Sequence, residues 1–255
     1  YYTRQPRRFI MSQIPQLMNG NRLQHDAVSE KGWYTRSVGD HVQIFSDFIG
    51  GGVLPSSGSG LVQYDDSSSG APTLLHQPLA DGVYRMKLAS TSEAERCAVY
   101  LGDDCCVSPT KNPIFEARVA ITTASPNAAE TLIIGLASAR NDTVGSIADH
   151  CLFKWTGANN NILIDTDDGT TDTSDQDTTS DWVSGTYYKF KIDMSDLSDV
   201  KFFIDGERQL NTTTFDVSDM AAADYLQPIV EIQKASGTTV PQVDIDYISV
   251  LWERT

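Results

Sequence analysis

Val243 to Trp252 reads VDIDYISVLW, an alternation of side-chain character with the period of two that marks a β-strand. Val243, Ile245, Tyr247, Ser249 and Leu251 share one face, and Asp244, Asp246, Ile248, Val250 and Trp252 share the other. The first half of the stretch has one wet face and the second half is apolar on both sides. A closing strand that passes from an exposed edge into a packed core has this pattern. Upstream, Val200 to Gly206 (VKFFIDG) alternates in the same way and ends in Asp205 and Gly206, a pair suited to the positive φ angles of a tight hairpin. Two such strands predict a two-sheet sandwich.

Strand-like segments recur on either side of these two, with turn residues between them. They are Val42 to Ile49, Gly82 to Ser90, Arg96 to Leu101, Ile114 to Thr122, Thr131 to Ala139, His150 to Thr156, Asn161 to Asp165, Tyr187 to Met194, Pro228 to Lys234 and Val243 to Glu253. Leu54 to Gly70, rich in Ser and Gly, reads as a surface loop, and Ser218 to Tyr225 as one or two helical turns capped by Ser218. Ten or more strands, few helices and no repeat of fixed period define an all-β class, a two-sheet antiparallel jelly-roll sandwich. At 255 residues the chain is long enough for one large domain, expected over 41–255, preceded by an extended arm over 1–40.

Charge separates the same two parts. Residues 1–38 carry Arg4, Arg7, Arg8, Arg22, Lys31 and Arg36 against Asp26 and Glu30, a net +4 that leaves −19 on the remainder of a chain of net charge −15. A basic arm studded with Phe9, Ile10, Ile14 and Leu17 is suited to docking on an acidic surface, whereas the acidic body argues against specific nucleic-acid binding. No apolar stretch approaches the roughly 20 residues of a membrane span, and the N-terminus lacks the apolar core of a secretory leader. A protein made in a cytosol, with no membrane partner, is expected. The chain opens on Tyr1, as a processed, truncated or internal piece would, with Met11 an alternative start.

Candidate chemistry is sparse. Cys97, Cys105, Cys106 and Cys151 lack the C-x-x-C spacing of a zinc site and are expected as reduced packing thiols, with a bridge from Cys97 to Cys105 or Cys106 as the alternative. There is no G-x-S-x-G elbow, phosphate-cradling glycine loop or H-E-x-x-H, and the four histidines are scattered. Glycoside hydrolysis needs two carboxylates held about 5 to 10 Å apart. The only acidic alternation of that kind is Asp244 with Asp246, on the closing strand. The run from Asp165 to Asp181 is oxygen-rich, and Asp165, Asp167 and Asp168 are candidate calcium ligands. Gly169 falls one position early for a helix-loop-helix calcium loop, and a plain hairpin closed by Asp168 and Gly169 explains the same residues. Trp155 and Trp182, with Tyr187 and Tyr188, are candidates for stacking against a sugar ring or for the core.

Taken in order, FSDFIG (45–50), NPIFEARV (112–119), IIGLA (133–137), WVSGTYYKFKI (182–192), VKFFIDG (200–206) and DIDYISVLWER (244–254) resemble the concanavalin A-like lectin and glucanase sandwich in its bacteriophage virion version. The resemblance runs from about Val42 to Thr255 and leaves the arm outside. It implies a non-enzymatic structural component of a phage virion, assembled in the host cytoplasm and oligomeric. A capsid decoration or cement protein is favoured, held to other capsid or tail proteins through Arg4, Arg7, Arg8, Phe9, Ile10, Ile14 and Leu17. The alternative is a carbohydrate-binding module or a tail-fibre or adaptor domain that attaches to cell-surface glycans. In lectins of this fold calcium orders the sugar-binding loops, but no ligand residue carries over to this chain; no other cofactor is implied.

Overall fold

The structure is a computed structural model that describes residues 41–49, 52–79, 82–122, 130–157 and 159–254, together with three backbone strands nearer the N-terminus. Its contacts divide the chain into two compact units, Tyr1–Val42 with the last two residues, and Gln43–Glu253. In the first unit β1 (Leu17–Met18), β2 (Asn21–His25) and β3 (Trp33–Ser37) form a three-stranded antiparallel meander. These three strands are the part of the expected 1–40 arm that the structure describes. Of the docking residues, Leu17 lies in β1, and Arg4, Arg7, Arg8, Phe9, Ile10 and Ile14 lie outside the described residues.

The second unit is the sandwich. In chain order its strands are β4 (His41–Ser46), β5 (Val62–Asp66), β6 (Thr73–Gln77), β7 (Val83–Lys87), β8 (Glu95–Tyr100), β9 (Ile114–Ile121), β10 (Glu130–Ala137), β11 (Asp149–Thr156) and β12 (Asn161–Asp168). Then come β13 (Asp172–Asp181), β14 (Tyr187–Asp193), β15 (Lys201–Ile204), β16 (Glu207–Arg208), β17 (Gln227–Lys234) and β18 (Gln242–Glu253). One sheet has seven strands in the order β13-β12-β11-β10-β17-β8-β5. The other has eight, ordered β16-β15-β14-β9-β18-β7-β6 with β4 added beside β18. The strand pairings are antiparallel, which makes the unit a two-sheet jelly-roll sandwich.

Alternation decides which side chains meet between the sheets. Leu132 and Ile134 of β10, Phe153 and Trp155 of β11, Ile162 of β12, Trp182 and Phe190 line one continuous apolar layer. Phe153 packs on Phe190 at 4.9 Å and on Phe202 at 5.3 Å, and Trp182 stacks on Phe190 at 5.5 Å with ring planes 19° apart. Each of these side chains is buried, and removing one such ring costs about 3 to 5 kcal/mol. The core also holds charge. Lys234 and Glu95 are fully buried and paired at 3.1 Å, and the Lys234 ammonium donates to the carbonyls of Ala89 and Thr91. That pair ties the turn after β17 to the loop between β7 and β8.

β18 departs from strict alternation. Its register against β9 runs Asp244 to Ala120 and Ile245 to Val119, then shifts so that Tyr247 faces Arg118. Asp246 is the extra residue of a β-bulge, and the faces exchange at that point. Val243, Ile245, Ile248, Val250 and Trp252 consequently all face the core and are buried. Asp244 is also not on a wet face: only 2% exposed, it accepts two hydrogen bonds of 2.7 Å from Arg85.

Three other segments differ from the sequence reading. β5 and β6 arise inside and just after the Ser- and Gly-rich stretch that reads as a loop. β13 is a ten-residue edge strand where solvated turns are expected, and Ser218 to Tyr225 forms turns rather than a helix. Asp175 and Thr179 on β13 have φ of 53° and 61°, and irregular pairing with β12 accompanies them. These features blunt an exposed edge against pairing with another chain.

Candidate functional site

A sandwich sheet has one face in the core and one face free to act, so the outer faces are where function resides. The outer face of the seven-stranded sheet is closed by the chain itself. The segment between β10 and β11 folds back over it, and Val144 and Ile147 join Val62, Ala98, Tyr100, Ile133, Leu152 and Ile229 in a second apolar cluster. Two charged groups flank this plug. On one side Arg140 lies over the Tyr64 ring at 3.6 Å, pairs with Asp142 at 2.7 Å and approaches Glu231 at 2.9 Å. The Arg140 Nε–H does not point at the Glu231 Oε2 it approaches, so neither atom has an aligned hydrogen bond. Burial pushes the Glu231 carboxyl up to about 7, and the Arg140 guanidinium opposes that shift without cancelling it.

On the other side His150 Nε2 stands 3.2 Å from Asp165 Oδ1, and Lys154 bridges Asp165 at 2.8 Å and Asp175 at 2.7 Å. Burial raises the Asp165 carboxyl, but hydrogen bonds from His150 and Lys154 outweigh it and leave it below the ordinary carboxylate range. No nucleophile or second free acid accompanies either group among the described residues. Both act as clasps that hold the β10–β11 segment and β13 to the sheet.

The candidate calcium ligands are not brought together. Asp165 is committed to His150 and Lys154, Asp167 accepts the Gly169 N–H, and Asp168 accepts from the backbone of Thr170, Thr171 and Asp219. Asp168 lies on the opposite face of β12 from Asp165 and Asp167, because one strand step reverses the side chain. Among the described residues no three His, Cys, Asp or Glu side chains converge on a metal position. Trp155 and Trp182 are each 5% exposed and belong to the core layer, which leaves no ring face for a sugar. The Trp155 indole N–H donates to the Asn159 carbonyl at 2.8 Å. All four cysteines are free thiols, and burial raises the pKa of each.

The outer face of the eight-stranded sheet carries no such plug among the described residues. It presents Arg85 and Lys87 of β7, Arg118 of β9, Lys189 and Lys191 of β14, Lys201 of β15 and Arg208 of β16. Those are seven of the thirteen Lys and Arg residues beyond position 42, in a stretch that also holds 31 Asp and Glu. The carboxylates on this face are Glu116, Asp193, Asp199, Asp205, Asp244, Asp246 and Glu253. Asp244 is closed under Arg85, Asp246 pairs with Arg118 at 2.5 Å, and Glu116 accepts from the Tyr247 hydroxyl. Arg118 stacks on Tyr187 at 4.4 Å, and Lys191 stands over Phe203 at 5.1 Å. Its seven cations meet seven carboxylates, a balance that the strongly negative body lacks as a whole. Sequence reasoning missed it because its cations come from five strands, and only the register assembles them.

Comparison with solved structures places the fold. A protein of unknown function from Shewanella oneidensis MR-1 superposes with a TM-score of 0.58 at 14% identity, over 94% of this chain and 97% of that one. An endo-acting O-glycanase of the human gut microbiota reaches 0.56 at 8% identity, over 83% of this chain and 98% of that one. A Bacteroides ovatus mixed-linkage glucan enzyme of the GH16 type reaches 0.52 at 11%, over 81% and 98%. At such identities the likeness is one of fold, a jelly roll shared with glycan-active proteins. No family model matches the chain, and no curated protein matches it.

Proposed function

We propose that this chain is a non-catalytic structural component of a phage virion, a sandwich displayed on the particle and anchored to the capsid by its N-terminal unit. The observation that carries the reading is the charge division between the two units. Residues 1–42 hold six Lys and Arg against three acids, a net +3, and the remainder holds 13 against 31, a net −18. A small basic unit with apolar side chains docks by charge complementarity and burial, while the acidic body keeps decorated particles apart in solution. The state of the acids supports a non-enzymatic role. Glycoside hydrolysis needs a poised acid and a second carboxylate within about 10 Å. Here Asp244, Asp246 and Asp165 are each paired with a cation, and Glu231, raised to about 7, has beside it, among the described residues, only the acid Asp142, which Arg96 and Arg140 hold in ion pairs. The resemblance of the ordered strand motifs to virion sandwiches supplies the particle as the partner. Deleting residues 1–38 tests it: the truncated protein should fold and fail to join particles, and full occupancy without those residues refutes the anchor.

A second reading, carbohydrate binding, is favoured by the fold shared with the O-glycanase and the mixed-linkage glucan enzyme. It is compatible with the first, because a displayed sandwich is well placed to touch a cell surface. Binding of the intact protein to a glycan array tests it, and an empty array refutes it.

A further inference from the structure

We propose that Lys234 and Glu95 condense into an isopeptide bond inside the folded chain, with Glu130 as the carboxyl that carries the proton. The bond is a modification of the sandwich itself and depends on no partner or glycan. Three ionisable side chains stand in one row across the seven-stranded sheet. Lys234 of β17 is opposite Glu95 of β8 on one side and Glu130 of β10 on the other. All three are buried, at 1%, 0% and 2% exposure. Leu132 and Ile232, two residues along the same face, are buried as well, so the row ends an apolar layer. A buried ion pair needs one carboxylate for one ammonium, at the cost of stripping water from both. Two glutamates flanking one lysine supply more: an amine, a carboxyl for it to attack, and a second carboxyl to move protons.

The contacts around the pair aim it. Lys234 Nζ lies 3.1 Å from Glu95 Oε2, within the range of reacting groups held in place. It also donates to the carbonyl oxygens of Ala89 and of Thr91, the latter at 2.9 Å. Passing one proton across the contact to Glu95 turns the ion pair into an amine and an acid. The two N–H bonds that remain are held by Ala89 and Thr91, which leaves the lone pair directed at the Glu95 carboxyl. The Ala89 N–H meets that carboxyl from its other side, 3.1 Å from Oε1 and 2.9 Å from Oε2, where negative charge develops when nitrogen attacks. Opposite side chains of antiparallel strands have Cβ atoms about 5 Å apart, so the Glu130 carboxyl can reach the same nitrogen. Thr239 joins the two, since its hydroxyl donates to Glu130 and its carbonyl accepts from Lys234 at 3.4 Å.

The step balances without an added reagent. Lys234 Nζ bonds to the Glu95 carboxyl carbon, and the displaced C=O electron pair rests on the oxygen facing Ala89. Glu130 takes a proton from the new nitrogen and returns it to the departing hydroxyl as the C–O bond breaks. One ammonium and one carboxylate become one amide and one water, with nothing oxidised or reduced. The ion pair of the structure is the state before this step. The amide would join β8 to β17 and close a covalent loop around β9 to β16.

The test is the intact mass of the full chain, measured under denaturing conditions at intervals after purification. Wild type should come to weigh about 18 Da less than its sequence, the mass of one water. Trypsin should then release a branched peptide in which Leu88–Arg96 is joined to the fragment that carries Lys234, uncut after that lysine. Lys234→Arg keeps a cation and should keep the full mass. Glu130→Gln keeps the shape of the row and should slow the loss of mass at least tenfold. Wild type that stays at full mass overturns the proposal, whether or not either variant folds. A loss of about 18 Da traced to a cyclic imide at Asp168–Gly169 or Asp205–Gly206, with no branched peptide, overturns it too. Condensation of Glu130→Gln at the wild-type rate would refute the proton-carrying role of Glu130.

Discussion

Replacing Glu231 by Gln should change how stability depends on pH, because burial holds this carboxyl well above its ordinary range. It sits on β17, 2% exposed, beneath the segment that carries Arg140. Its pKa rises from 4.5 to about 7, driven by burial and opposed by Arg140. A group whose folded pKa is raised binds its proton more tightly in the folded state than in the unfolded state. Its stabilisation is therefore complete below about pH 4.5 and is lost as pH rises through about 7. At about 1.4 kcal/mol per pH unit the loss is on the order of 3 kcal/mol. For a domain of this size that is on the order of 10 °C in Tm. Glutamine keeps the shape and the neutral state at every pH. Thermal unfolding of wild type and Glu231→Gln at pH 5 and pH 8 should show near-equal Tm at pH 5 and a variant several degrees more stable at pH 8. The other carboxylates contribute equally to both proteins and cancel in the comparison. Parallel Tm shifts for the two proteins would refute the reasoning, and would mean that water or a rearranged Arg140 hydrates the carboxylate.

Other perturbations probe separate parts of the structure. Lys234→Met leaves Glu95 buried and unpaired and should cost about 3 to 5 kcal/mol in urea unfolding, whereas the double variant with Glu95→Gln should recover much of that loss. Trp182→Ala opens a cavity against Phe190 and should cost about 3 to 5 kcal/mol in urea unfolding. Gly82→Ala should destabilise sharply: φ there is +76°, and an added Cβ would meet the Asp47 carbonyl oxygen at 2.3 Å. Chelation followed by calcium should leave Tm unchanged, because Asp165, Asp167 and Asp168 are committed to protein donors.

Much of the sandwich is legible in the sequence because both sheets bury one face and so impose a period of two. VKFFIDG and VDIDYISVLW locate two strands of the eight-stranded sheet, and IIGLA one of the seven-stranded sheet. What escaped has physical reasons. The bulge at Asp246 adds one residue without changing composition, so the true inward set of β18 shows only in its register. β13 looks like a loop because almost all of its side chains meet water, and an edge strand needs no apolar face. The gathering of cations on one sheet face is invisible in sequence because Arg85, Arg118 and Lys189 lie on strands far apart in the chain. A clearer signal was available for Glu231: a lone acid in the apolar run PIVEI demands a partner wherever that strand packs.

The proposed virion role is tested most directly by electron cryomicroscopy of phage particles assembled with and without this chain. The account predicts the sandwich on the outer surface, with residues 1–38 against the capsid. Particles that lack the chain, or that hold it through the sandwich with the N-terminal unit pointing away, would contradict it.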